Sequence, residues 1–269
     1  MGNLIKSEFY KLTRSGVFRF LFTVPFISAI ILSLILNLSI KDTLSFNLGN
    51  EFSFISDSGE IERSLNQITL FKLTVIKNLP TLILIMCILA AFFISNDFTT
   101  GVIRNTILSG TSRTHIFYGK LAVYILGLII ITGIFPLVVT VMGTMLFDFE
   151  GESHYSIFLY IGRSTLLYLL HFIAISSIFM LVTMILEDSG KVISMTLLAF
   201  LLLTVGYKSL DHIPLVSTFY EYSVFNQISF VFTKRLTPGE ILVSIISGIT
   251  TFIIFTFTAK VLFQKKEIK

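Results

Sequence analysis

The sequence predicts an all-α polytopic membrane protein, and three observations predict it. Of its 269 residues 54% are hydrophobic and only 13% are charged, where a soluble domain carries about 25%. The apolar residues gather in long runs, and a helix needs roughly 20 such residues to cross a bilayer. Charges fall between the runs or at their ends. A mean hydropathy of +0.88 agrees. With 28 Phe and no Trp, an aromatic belt at the membrane interface falls to tyrosine. Tyr118, Tyr155, Tyr160, Tyr207, Tyr220 and Tyr222 stand at or near the ends of apolar runs. A single transmembrane domain over residues 1–269 is expected.

The first element is an amphipathic helix over Gly2 to Arg14. At helical spacing Leu4, Ile5, Phe9 and Leu12 fall within an arc of about 140°. Lys6, Ser7, Tyr10, Lys11 and Arg14 take the other side. That pattern belongs to a helix lying in the membrane interface with its basic face toward anionic headgroups. Glu8 breaks it, projecting from the apolar arc. Either it snorkels to water or it pairs with a cation of a neighbouring element, Arg104 or Arg113.

The first span is expected from Val17 to Ser39, with Arg19 and Pro25 near its start. It follows a charged lead without an A-x-A-like cleavage site, which marks a retained span. A polar loop, Ile40 to Asn78, follows; its last part, from Thr69, is expected to be helical and to continue into the second span, Leu79 to Ser95. A polar, partly basic segment from Asn96 to Lys120 separates that span from the third, Leu121 to Phe147, which Gly127, Gly133 and Gly143 thin and Pro136 should kink. Beyond an acidic loop with Asp148, Glu150 and Glu152, the fourth span runs from Ser164 to Leu186 and the fifth from Val192 to Tyr207. Lys208 to Thr237 is too apolar for a free loop and too interrupted for a span, so a re-entrant or interfacial helical hairpin is expected there. The sixth span opens on a capping box, with Thr237 as cap, Pro238 first in the helix and Glu240 reaching back. It ends near Phe263, and QKKEIK follows.

Charge sets the orientation. With the N-terminus inside, the inner segments hold Lys6, Lys11, Arg14 and Arg19, then Arg104, Arg113 and Lys120, then Lys191, then Lys260, Lys265, Lys266 and Lys269. The outer loops are acidic or nearly balanced, apart from Lys234 and Arg235. The positive-inside rule therefore predicts both termini in the cytoplasm. Flanking cations also account for the pI of 9.1, so no nucleic-acid partner is expected. The lone Cys87 lies in an apolar run, which argues against an internal disulfide or a thiolate metal cluster.

No catalytic constellation stands out. The four histidines, His115, His154, His171 and His212, are scattered, without the H-E-x-x-H spacing of a zinc helix. Gly119-Lys120 and Gly190-Lys191 lack the rest of a phosphate loop, so nucleotide hydrolysis on this chain is not expected. The titratable group well inside a span is His171, close to Tyr168 and Ser176. It is read either as a histidine hydrogen-bonded between helices or, with those two, as part of a substrate path. Ser244, Ser247, Gly248, Thr251 and Thr258 form a small-residue stripe on the sixth span, expected to be a packing seam within or between subunits. In the Asn96–Leu108 stretch Val102, Ile103, Thr106 and Ile107 share a helical face, Gly110 ends the helix, and Thr111 or Ser112 caps the next.

The chain resembles the ABC-2 type transporter permeases. Three stretches carry the likeness: LIKSEFYKLTRS before the first span, NDFTTGVIRNTILSGTSRTHIFYGK after the second, and FQKKEIK at the end. Asp97 stands where that family usually has Glu. The resemblance implies a fold like the ABCG-type exporters. Two permease subunits, alike or different, would pair and rest on separate nucleotide-binding ATPase subunits, which would hold the ATP and magnesium. It implies that Asp97, Thr100, Gly101, Val102, Ile103, Arg104 and Ile107 belong to the ATPase-coupling region. Glu8, Phe9 and Leu12 would belong to a connecting helix, and Leu210–Phe232 would be re-entrant. It further implies a bacterial cell-membrane location and an amphipathic peptide or other hydrophobic cargo, as in antimicrobial-peptide resistance or peptide export. Two other readings stay open, a non-transporting membrane subunit of a sensor or assembly complex and an intramembrane enzyme.

Overall fold

A computed structural model describes residues 2–40, 67–146, 154–210, 213–233 and 236–266. Every regular element among them is helical. In chain order these are α1 (Gly2–Arg14), α2 (Gly16–Ile40), α3 (Gln67–Ala90), α4 (Val102–Leu108), α5 (Arg113–Leu146), α6 (His154–Leu186), α7 (Ser189–Leu210), α8 (Pro214–Glu221), α9 (Val224–Phe230) and α10 (Pro238–Lys265). α3 runs on through a π-turn, Ala91–Ser95, and one further helical turn, Asn96–Thr99.

The long helices follow from uninterrupted apolar sequence and from the caps at their ends. Thr237 accepts a hydrogen bond from the Glu240 amide while the Glu240 carboxylate accepts one from the Thr237 amide, so the expected capping box opens α10. Ser112, not Thr111, caps α5, its Oγ accepting from the His115 amide at 3.4 Å. α5 passes Pro136 without a break, and Thr140 Oγ1 donates to the Pro136 carbonyl at 2.7 Å. The helix expected from Thr69 into the second span is present from Gln67.

Among the described residues four helices are long and apolar enough to cross a membrane: Leu79–Thr99, Arg113–Met142, Ile157–Leu186 and Pro238–Lys265. There are five if α1 and α2, bent by 62° where they join, count as one span. The chain is thus built as a membrane protein. The fifth span expected from Val192 to Tyr207 falls within α7, Ser189–Leu210, whose stretch Ser189–Ala199 is apolar. The acidic loops at residues 41–66 and 147–153, and Lys234 and Arg235, lie outside the described residues.

Two groups of helices form the body. α1, α2 and α3 pack on α5, whereas α10 and α9 pack on α6, and α3 joins the groups by also touching α6. Glycines set two close approaches. A Cβ on Gly127 of α5 would stand 2.8 Å from Leu12 Cδ2, and one on Gly248 of α10 would stand 2.9 Å from Leu170 Cγ. Leu12 is fully buried in the first seat. Between α5 and α3, the Tyr124 hydroxyl donates to the Met86 carbonyl at 2.9 Å. Large apolar side chains left outside, such as Phe20, Val24 and Ile27 on α2 and Ile245, Ile249 and Ile253 on α10, face where lipid would lie.

The segment before α10 holds two short helices, α8 and α9. α9 hangs on the start of α6. Tyr160 Oη donates to the Phe232 carbonyl at 2.7 Å, Ser164 Oγ to that of Val231 at 3.3 Å and Arg163 to that of Thr233 at 2.7 Å. Tyr160 is therefore a buried strut and not part of an interfacial belt.

Candidate functional site

At the opposite end, where α1, the Asn96–Thr99 turn and the first turns of α5 meet, four charged side chains converge. Lys120 of α5 is 1% exposed and Asp97 is 0% exposed. The Lys120 ammonium pairs with Asp97 Oδ2 and, at 2.9 Å, with Glu8 Oε1. Lys11 pairs with Asp97 Oδ1 from the partly exposed side. Both ammonium groups lie over the Phe93 ring, Lys120 at 5.5 Å and Lys11 at 5.9 Å from its centre. Two cations and two carboxylates thus share one niche, with an aromatic face adding cation–π attraction. Burying a charge is costly unless it is paired and hydrogen-bonded, and this mutual pairing lets Lys120 and Asp97 stay inside.

Local backbone geometry delivers each member. The π-turn Ala91–Ser95 closes i to i+5 bonds, and Asp97 keeps to the buried stripe of Met86, Ala90 and Phe93 at helical spacing. Ser189 Oγ donates to the Ala91 carbonyl at 2.8 Å, where that turn begins. Asp97 points inward rather than along the outside of the span. Gly101 turns the chain with φ +71°, and Gly110 ends α4 with φ +88°, a left-handed region that glycine enters without a Cβ penalty. On α1 the inward side carries Glu8 and Leu12, both buried, whereas Phe9 is exposed. Glu8 takes Lys120 as its partner rather than Arg104 or Arg113. Lys11, which helical spacing puts on the polar side of α1, reaches across to Asp97.

The residues expected in the coupling region divide by direction. Asp97 and Ile103 are buried and Ile107 is half-buried, while Thr100, Val102 and Arg104 are exposed. Leu108, which the sequence reading does not single out, is 75% exposed at the end of α4. α4 therefore turns Arg104 and Leu108 to solvent on one flank and Val102 on the other, while Ile103 and Ile107 face the body. Arg113 turns away from α1, and its Nη1 lies within hydrogen-bond distance of the carbonyls of Phe263, Gln264 and Lys266 at the end of α10.

The remaining expected residues lie elsewhere. His171 bonds the Leu167 carbonyl through Nδ1 at 2.7 Å, and its Nε2 stands 3.4 Å from Ser244 Oγ. It is thus a histidine hydrogen-bonded between helices, joined to the small-residue stripe. Tyr168 packs on Phe172 and Phe232 at 4.4 and 5.8 Å between ring centres. Ser176 is buried and donates to the Ile173 carbonyl. All three face packed neighbours. Ser244 and Gly248 are buried on α6, Thr251 is half-buried and Thr258 is exposed, so the first part of the stripe is a seam within the chain.

Comparisons of the chain with protein-family models, curated proteins and solved structures found no match. The charge niche, the exposed side chains of α4 and the resemblance in the sequence are what a functional reading stands on.

Proposed function

We propose that the chain is the membrane permease subunit of an ATP-binding cassette exporter of the ABC-2 type, working with a separate ATPase and a second permease subunit. In this reading the chain has six spans, both termini in the cytoplasm of a bacterial cell, and α8–α9 re-entrant from the outer side. ATP would be hydrolysed on the partner, whose closure presses on α4. The cargo class, an amphipathic peptide or other hydrophobic molecule, follows from the resemblance alone.

One observation carries the reading. The Asn96–Lys120 segment is clamped to α1 by buried ion pairs and still exposes Val102, Arg104 and Leu108 on a short helix. A segment built only to connect two spans has no need of buried charge, which is costly to form and severe to break. A segment that receives a push does, because the push must not be lost in local bending. The same geometry redistributes the roles. Asp97 and Ile103 belong to the clamp, and the side chains offered to an ATPase are Val102, Arg104 and Leu108.

Arg104→Ala combined with Leu108→Asp tests this. Loss of an apolar anchor and a cation at an interface centre costs more than 1 kcal/mol, so ATPase co-purifying with the tagged chain should fall by about tenfold or more. Membrane ATP hydrolysis dependent on the chain should fall with it. Unchanged values of both would refute the assignment.

A further inference from the structure

The end of α10 is tied to two other parts of the chain. The last turn of a helix leaves carbonyls without intrahelical donors. Arg113 supplies them from the start of α5, with Nη1 3.5 Å from the Phe263 carbonyl, 2.9 Å from that of Gln264 and 2.6 Å from that of Lys266. A guanidinium suits the place, having five N–H donors in a fixed fork and a permanent charge that the helix C-terminus attracts. Gln264 Nε2 adds a bond to Thr114 Oγ1 at 3.0 Å. One residue further, the Lys266 ammonium donates to the carbonyls of Met184 and Ile185 at 2.5 and 3.2 Å and pairs with Glu187 at 2.8 Å. Those groups form the end of α6 and the turn into α7, where Glu187 holds a left-handed φ of +56°. Lys266 also lies over the Phe98 ring at 5.9 Å, and Phe98 meets Phe263 edge-on at 6.1 Å.

Resting on the permease reading above, we infer that Arg113 and Lys266 form a strap that makes α10 and the α6–α7 turn a second output of the Asn96–Lys120 segment. Force reaching α4 divides. One share passes through Lys120 and Asp97 into α1, and the other through Arg113 and Phe98 into the end of α10 and, by Lys266, into the end of α6. Away from the strap, α10 packs mainly along α6, with a lighter seam to α5. Without the strap, the α6–α10 group would follow the loaded segment through apolar surfaces that can slide and through single neutral hydrogen bonds, Gln264 to Thr114 and Ser189 to Ala91.

The test uses the full chain in lipid nanodiscs with Cys87→Ser and spin labels at the exposed Ser109 and Lys265. In the otherwise unaltered chain the distance distribution between them should be narrow. Arg113→Gln with Lys266→Gln should widen it at least twofold. An unchanged distribution in that variant overturns the strap. A second label pair, Leu166 with Leu242 on α6 and α10, should keep its distance and so show that the variant folds. With the ATPase bound, ATP plus vanadate should shift the distance between labels at Phe20 and Lys265 in the unaltered chain and leave it still in the strap variant. Equal shifts in both overturn the inference although the permease reading stands. Loss of ATPase from the unaltered chain instead overturns that reading and takes the second output with it.

Discussion

The two ends of the molecule are fastened by different chemistry. Where α9 hangs on α6, two of three side chain–carbonyl bonds come from neutral hydroxyls, Tyr160 and Ser164, and the third from Arg163. Where α1 and α4 meet α5, the fastening is ionic, with Lys120 held between Glu8 and Asp97 and almost fully buried. Neutral bonds each add modestly and independently. A buried ion cluster adds little over an apolar replacement but fails badly when one member is removed. The first kind holds a part in place, whereas the second fixes one geometry and penalises every other. An end that must keep its register under load is served by the second.

The largest expected effect is at Lys120. Lys120→Met leaves Asp97 and Glu8 buried together without their shared cation, so a loss of about 3–5 kcal/mol is expected, read as a large fall in thermal unfolding temperature in detergent. Replacing the whole cluster, Glu8→Met, Lys11→Met, Asp97→Leu and Lys120→Met, should recover most of that stability and, on the proposed permease function, abolish ATPase-linked activity. A Lys120→Met chain within 1 kcal/mol of the unaltered one would mean that the niche is wetter than its burial implies.

Why the two ends differ in legibility follows from the same chemistry. Apolar runs, caps and helix-ending glycines are local signals, so the long helices, the Thr237 capping box and the stop at Gly110 can be read from sequence. The ion cluster brings together residues 8, 11, 97 and 120, and nothing local records that meeting. Glu8 was the visible anomaly, an acid within an apolar arc. Its partner could not be picked among nearby cations, because Lys120 looks like any cation flanking a span. Asp97 itself continues the buried stripe of Met86, Ala90 and Phe93 at helical spacing, but the π-turn Ala91–Ser95 is not announced by the run AFFIS. The His171–Ser244 contact is not legible as a pair for the same reason, although each residue stands out alone in the sequence.

Smaller effects should come from the two glycine seats, one in each helix group. Gly127→Ala forces Leu12 of α1 out of a place that leaves 2.8 Å for a Cβ, and Gly248→Ala does the same to Leu170 at 2.9 Å. Overpacking of this kind costs about 1–3 kcal/mol. The sites should separate by function. Gly127→Ala shifts α1 and with it Glu8, so ATPase-coupled activity should fall more than stability does. Gly248→Ala should lower the unfolding temperature with ATPase binding intact. Equal losses of binding in both variants would erase the distinction between a coupling end and a merely packed one.

The smallest expected effect is at the other end, and it sharpens the comparison by its size. Tyr160→Phe removes one neutral donor from the Phe232 carbonyl and leaves the ring in place over its neighbours. A bond of that kind contributes about 0.5–1.5 kcal/mol net, so the variant should unfold only slightly earlier than the unaltered chain. Arg163 and Ser164 still hold the adjoining carbonyls, and α9 should remain seated, which protection of the Val231 and Phe232 amides in hydrogen exchange would report. A loss of about 3 kcal/mol or more, in the range of a broken buried ion pair, would put this end on a par with the ion cluster. Charge would then not be what distinguishes the end proposed to bear the load.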